Sequence, residues 1–310
     1  PIMAAILPQP TFRTKPRKYE AKLRKMPSNR YEAARRHGTN DANELLYLAE
    51  SLDEERLSEK SIVNYLNKLK ELFSWAVDED YLTKNPAVKI VPKVLAIQKR
   101  AQDARDKFEQ SDLLSIFSVE WFKLAGIARN KSGGLRETRP YYYWLPLLGL
   151  YTGARLNEIC QLYLEDIEEY EPGKYLIFIN DHDPATAHDK NPTFAIDKSI
   201  KNKASKRSIP IHPDLVFLGL IDYIHALKAN GYTRLFPELR FDRIKGYARA
   251  AGSWFNERFL GKTLKFERNG MKTFHSFRHT FITALIDNAI PENIINEIAG
   301  HERGDTTSLN

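Results

Sequence analysis

The feature that most constrains this chain is the recurrence of apolar residues at three- and four-residue steps from Ser58 to Glu79, where Ile62, Leu66, Leu69, Leu72, Phe73, Ala76 and Val77 share one face. Lys60, Asn64, Lys68 and Glu71 occupy the other face, so the pattern predicts an amphipathic helix that must bury one side against neighbours. Asp41 to Leu52 and Arg17 to Lys25 carry weaker versions of the same period, and Asn85-Pro86 ends it. The first part of the chain therefore reads as a small helical bundle, residues 1–91. A polar, basic, glycine-free stretch follows, PKVLAIQKRAQDARDK, which suits an inter-domain connection over 92–107.

The remainder, 108–310, mixes periods. Glu109–Phe117, Tyr141–Leu162, Pro213–Ala229, Gly246–Phe259, Ser276–Asn288 and Pro291–Ala299 read as helices, with Pro291 at a favoured first-turn position. Tyr175–Asn180 and Ser208–Ile211 alternate as short strands do. The expected fold class is mainly α with a small antiparallel β-sheet: a helical N-terminal domain, then an α/β domain. No repeat or low-complexity segment interrupts it.

No run approaches the roughly 18 uninterrupted apolar residues of a membrane span, and the N-terminus lacks the apolar block of a signal peptide, so an intracellular protein with no membrane partner is expected. Cys160 is the only cysteine, which excludes an intrachain disulfide framework and a Cys-rich zinc site; it reads as a small buried residue. The formal net charge of +7 favours a polyanionic partner. Basic residues concentrate in Arg13–Arg36, Lys198–Arg207 and Arg234–Arg249, each of which alone would equally suit a solvated face.

Four segments carry residues suited to holding a phosphate. In TGARLNEICQL a glycine turn delivers Arg155 to a helix start, and a guanidinium fork can bond two phosphate oxygens at once. Glu158, one turn on, is placed either to hold that guanidinium or to form a plain surface pair. In IKNKASKRSIP a basic turn leads into a strand, and Lys201 or Lys203 could reach a DNA strand and protonate a leaving oxygen. In FHSFRHTF, His275 and Arg278 share one side of a helix start, whose free amides would add to anion binding. His275 and His279 also stand at zinc-ligand spacing, but the glutamate of a zinc protease is missing. In IAGHERGDTT, His301 sits in a glycine-flanked turn that alone would be an ordinary surface turn.

In this order and at these separations the four segments resemble the tyrosine recombinases, the phage integrases in particular. LSEKSIVNYLNKLKELFSWAVDEDYLTKNPA resembles that family's core-type DNA-binding domain, so the likeness runs through most of the chain. The resemblance implies an enzyme that recombines DNA at specific sites, as in integration and excision of mobile DNA, through a 3′-phosphotyrosine intermediate. It implies that Arg155 and Arg278 clamp the scissile phosphate. Lys201 is the implied general acid, since it heads K-x-x-x-S-x-R-x-I-P, with Lys203 in reserve. His275 would assist proton transfer, His301 would bond the phosphate, and Glu158 and Asp166 would support the arginine segment. No cofactor or metal is expected. Double-stranded DNA, a homotetramer on two DNA sites, accessory DNA-bending proteins and a cytoplasmic, nucleoid-associated location are the expected setting.

The family's nucleophilic tyrosine lies shortly after the second histidine, yet Glu302–Asn310 contains none, and nothing matches Tyr232 or Tyr247 to that motif. The nucleophile is expected after Asn310. Two other readings share the pattern: a catalytically silent DNA-binding relative, and a type IB topoisomerase that relaxes DNA without exchanging partners.

Overall fold

The computed structural model describes residues 15–88, 106–129, 132, 134–182, 198–200, 205–267 and 269–300. The chain divides into two compact units, Pro1–Gln98 and Lys99–Asn310. Most of the expected 92–107 connection lies outside the described residues. No described helix is long and apolar enough to cross a membrane.

The first unit holds helices α1 (Lys15–Lys25), α2 (Arg30–His37), α3 (Ala42–Ser51) and α4 (Glu59–Asp78). The long amphipathic pattern is α4. It starts where Ser58 Oγ accepts from the Ser61 amide, and α3 starts where Asp41 accepts from the amides of Asn43 and Glu44. Ile62 and Leu66 of α4 pack with Leu23 and Ala87. Asn85 ties the end of the unit back to α4, donating from Nδ2 to Lys70 O and Ser74 Oγ. Helix α2 has no counterpart in the expected elements. Its single buried residue is Ala33 and its sequence, RYEAARRH, presents charge rather than periodicity.

The second unit opens with α5 (Gln110–Phe117), α6 (Glu120–Lys123) and a hairpin of β1 (Ile127–Arg129) and β2 (Leu135–Glu137). The predicted Tyr141–Leu162 helix is two helices, α7 (Pro140–Thr152) and α8 (Leu156–Cys160), broken where Gly153 takes φ +60°. The apolar residues of α7 face inward on nearly every side, so periodicity carried no sign of the break. The three-stranded antiparallel sheet runs β3 (Ile167–Glu171), β4 (Lys174–Ile179), β5 (Arg207–Pro210), with Ile177 opposite both Ile167 and Ile209. The expected strands are β4 and β5. Strand β3, IEEYE, buries only Ile167 and so lacks the apolar alternation that would have revealed it.

Gly219, at φ +91°, likewise splits the predicted Pro213–Ala229 helix into α9 (Pro213–Phe217) and α10 (Leu220–Ala229). The Gly246–Phe259 prediction becomes α11 (Ala248–Ser253) running into a π-helical segment, Trp254–Thr263. Then come α12 (Ser276–Asp287) and α13 (Glu292–Ala299), where Pro291 precedes the helix as its N-cap with extended ψ rather than occupying its first turn.

An aromatic core joins α7, the π-helical segment and α12 through Tyr141, Phe255, Phe259, Phe274 and Phe277. Full burial of such a ring contributes about 1.5–3 kcal/mol. Gly149 lets α7 approach closely, since a Cβ there would lie 2.7 Å from the Phe274 ring and 3.1 Å from that of Phe277. This contact brings the Gly153 turn of α7 to the start of α12, where Arg278 lies.

Candidate active site: an arginine cluster around Glu158

The chain reverses at Gly153 and re-enters helix at α8 with Arg155 as N-cap. The carboxylate three residues on reaches back to that cap: Glu158 Oε2 accepts from the Arg155 amide at 2.8 Å, while Oε1 accepts from Arg155 Nη1 at 2.7 Å. A third donor comes from β5, where Arg207 Nη2 bonds Glu158 Oε2 at 2.8 Å. Glu158 is only 4% exposed. Burial alone would raise its pKa, but the bond and charge of Arg207, with the Arg155 amide and charge, outweigh burial and hold the carboxyl below its ordinary value. Glu158 is thus a buried linchpin rather than a surface partner.

Arg278 enters from α12, 3% exposed. Its Nη1 donates to Gly153 O at 2.9 Å and its Nη2 to Ala299 O. Arg207 donates from Nε to Ile298 O at 2.6 Å and from Nη1 to Ser205 O at 2.8 Å. Two successive carbonyls at the end of α13 are therefore capped by guanidinium groups from different segments, a favourable use of cations at a helix C-terminus.

Three guanidinium groups share the one carboxylate of Glu158, leaving an excess of two positive charges. Arg278 registers this. Burial first, then the like charges of Arg155 and Arg207, depress its pKa well below the usual guanidinium range, and Glu158 offsets only part of the shift. Such a cluster favours an anion, and a tetrahedral oxyanion can accept from several forks at once. Arg155, with 23% of its side chain exposed, faces solvent most.

The other expected site residues fall as follows. His275 is half-buried at the N-cap of α12, its ring edge-on to that of His279 at 5.0 Å. The expected free amides of that helix start are not there: Ser276, Phe277 and Arg278 N–H groups donate to the carbonyls of Thr273, Phe274 and His275. The chain folds into a tight turn before α12 and uses those donors internally. Asp166 accepts from buried Lys198 at 2.7 and 2.6 Å, from Asn180 Nδ2 at 2.9 Å and from the Tyr163 amide at 2.7 Å. Burial lowers the Lys198 pKa, and Asp166 opposes that shift. Lys201, Lys203 and His301 lie outside the described residues, as do Lys93, Lys99 and Arg100 of the connection.

Residues not expected in the site frame the IKNKASKRSIP segment at both ends. Gln161 bonds the Ser199 backbone twice, donating to its carbonyl at 2.9 Å and accepting from its amide at 3.0 Å. Lys198 anchors the same side, and Arg207 the other. Of the basic blocks, Lys198–Arg207 is therefore no solvated face at either end. Arg234 is also engaged, stacked between Tyr163 and Tyr247 at 4.0 and 4.2 Å. Cys160 is buried, and burial pushes its thiol pKa upward.

Fold and site together define a helical scaffold with a small sheet that gathers three arginines about one buried carboxylate. Residues 135–309, more than half of the chain, match the phage integrase family. The chain belongs to that family, the tyrosine recombinases. It is 28% identical over 257 residues to a tyrosine recombinase XerC-like protein of Caldanaerobacter subterraneus subsp. tengcongensis, a match covering 79% of this chain and 60% of that protein. It is 24% identical over 261 residues to tyrosine recombinase XerD of Staphylococcus haemolyticus, covering 84% and 74%. Among solved structures, the Tn1549 transposon integrase in complex with circular intermediate DNA aligns with a TM-score of 0.48 at 21% identity, covering 79% of this chain and 72% of that one.

Proposed function

We propose that this protein is a site-specific DNA recombinase that cuts and rejoins DNA through a 3′-phosphotyrosine link, as in integration and excision of mobile DNA. The observation that carries this reading is the cluster of Arg155, Arg207 and Arg278 around the single carboxylate of Glu158, an oxyanion site assembled from the family's arginine segments. Arg155 and Arg278 clamp the scissile phosphate and stabilise the charge that builds up as phosphorus becomes pentacoordinate. A tyrosine following the GHERGDTT segment, beyond Asn310, forms the new P–O bond. The 5′ oxygen leaves with a proton from Lys201, and Lys203 is the alternative donor. His275 assists proton transfer at the nucleophile and His301 bonds the phosphate. The reverse step, attack by the 5′ hydroxyl of another strand, restores the phosphodiester and frees the tyrosine.

The unit Pro1–Gln98 serves as the core-type DNA-binding domain, with α4 contributing to sequence reading. The working assembly is a homotetramer on two DNA sites, helped by DNA-bending proteins, in the cytoplasm of a bacterial cell.

The test uses the protein together with the tyrosine proposed above and a duplex selected by binding from a random-sequence pool. Covalent protein–DNA adduct is followed on denaturing gels. Arg155→Ala and Arg278→Ala should each slow adduct formation by about 10²–10³-fold while DNA affinity changes little. Near-normal cleavage by either variant would refute the assignment.

A further inference from the structure

We propose that Arg207 is a positioning residue for strand cleavage, one that aligns the phosphate clamp with the turn leading into His301 without itself touching DNA. The proposal rests on the recombinase reading above. Arg207 is the first residue of β5, a few residues after Lys201 in the IKNKASKRSIP segment. Its side chain is 2% exposed, too buried to meet a duplex. All three of its nitrogens are engaged, and each with a different part of the site. Nη2 holds Glu158, which in turn holds Arg155. Nη1 holds the Ser205 carbonyl, whose hydroxyl accepts from Arg155 Nη1 at 3.3 Å. Nε holds Ile298 O, next to the carbonyl that Arg278 caps.

The same guanidinium packs on Gly300, where a Cβ would lie 3.0 Å from Nη1 and 3.2 Å from Cζ. Gly300 has φ +68° and closes α13, so the chain leaves it directly for His301. One rigid planar fork thereby fixes the relative places of the Arg155 turn, the start of β5 and the end of α13. A lysine at this position would keep the charge but has one nitrogen, and cannot reach a carboxylate and two carbonyls in three directions. A misplacement of about 1 Å in a reacting group costs on the order of 10²-fold in rate.

Arg207→Lys and Arg207→Gln, in the same protein and with the same selected duplex, separate this role from DNA binding and from folding. The expected result is a cleavage rate constant at saturating protein reduced by about 10–100-fold, with the dissociation constant for DNA near wild type and the charge-keeping Arg207→Lys protein still folded at the assay temperature. Because part of the loss is transmitted through Arg155, Arg155→Lys with Arg207→Lys should lose less cleavage than the product of the two single losses. Wild-type cleavage by the folded Arg207→Lys protein, or losses that multiply in the double variant, would overturn the proposal. Loss of DNA affinity in proportion to cleavage would do the same. Absence of adduct with the wild-type chain would instead count against the recombinase reading.

Discussion

Glu158 takes three hydrogen-bond donors and compensates three guanidinium groups while almost out of reach of water, so its ionisation is coupled to folding. Its pKa in the folded chain lies below the ordinary 4.5. A carboxyl lowered by folding contributes stability that is fully present above its unfolded pKa and disappears as pH falls through the folded value. Resistance of the wild type to urea should therefore fall as pH drops below about 4.5, and part of that dependence should vanish in Glu158→Gln. At pH 7 the same variant should lose about 3–5 kcal/mol, because neutralising one partner of a buried pair strands the others. An unchanged pH slope in Glu158→Gln would mean the carboxylate contributes nothing to acid stability. At this scale Arg155, Glu158 and Arg278 were legible in the sequence, because a glycine turn before Arg155 and the His-x-x-Arg spacing say where a fork is presented. Arg207 lies within the K-x-x-x-S-x-R-x-I-P pattern, but its role was not legible there, since among Lys201, Lys203, Lys206 and Arg207 nothing local marks Arg207 as the side chain that turns inward. Its partners come from segments distant in sequence, and only the tertiary fold joins them.

The break between α7 and α8 is what turns a buried helix into a site. Gly153 has φ +60°, its carbonyl accepts from Arg278, and the space where its Cβ would be is filled by the Phe281 ring. Gly153→Ala should incur both a left-handed backbone penalty of about 1–2 kcal/mol and a packing conflict that shifts the Arg155 turn. Gly173→Ala, in the open turn between β3 and β4 at φ +73° with nothing within 4 Å, should incur the backbone part alone. The difference between the two unfolding free energies isolates the packing contribution, and cleavage should fall only in Gly153→Ala. Equal destabilisation with equal activity would mean that Phe281 yields and the turn is tolerant. Elements with one wet face, α3 and α4, were readable to their caps, because solvent imposes a period on the sequence. The α7–α8 join was not, since burial on all sides erases periodicity, and neither was β3, whose exposed acidic residues hide its single inward isoleucine.

For the molecule as a whole, charge and architecture point the same way, because a chain at +7 that keeps three arginines around one carboxylate has organised part of its excess for an anion. The fold class followed from the balance of helical and alternating patterns, whereas the small hairpin of β1 and β2 was too short and too exposed to leave a mark. What distinguishes a DNA-wrapping protein from one that merely holds a single phosphate is how many phosphates it neutralises. If both units lie along a duplex and about six to ten phosphates are contacted, affinity should fall by roughly 10³–10⁵ between 50 and 200 mM salt. Fluorescence anisotropy of residues 1–310 with a labelled duplex, titrated at several salt concentrations, gives that slope directly. Arg155→Ala should lower the slope by about one counterion and no more, since one phosphate contact is removed and the rest of the surface is unchanged. A shallow slope of about one or two counterions in the wild type would confine binding to the arginine cluster, and the steep, nearly variant-independent slope expected here would assign most of the affinity to contacts that position the duplex before the clamp closes on one phosphate.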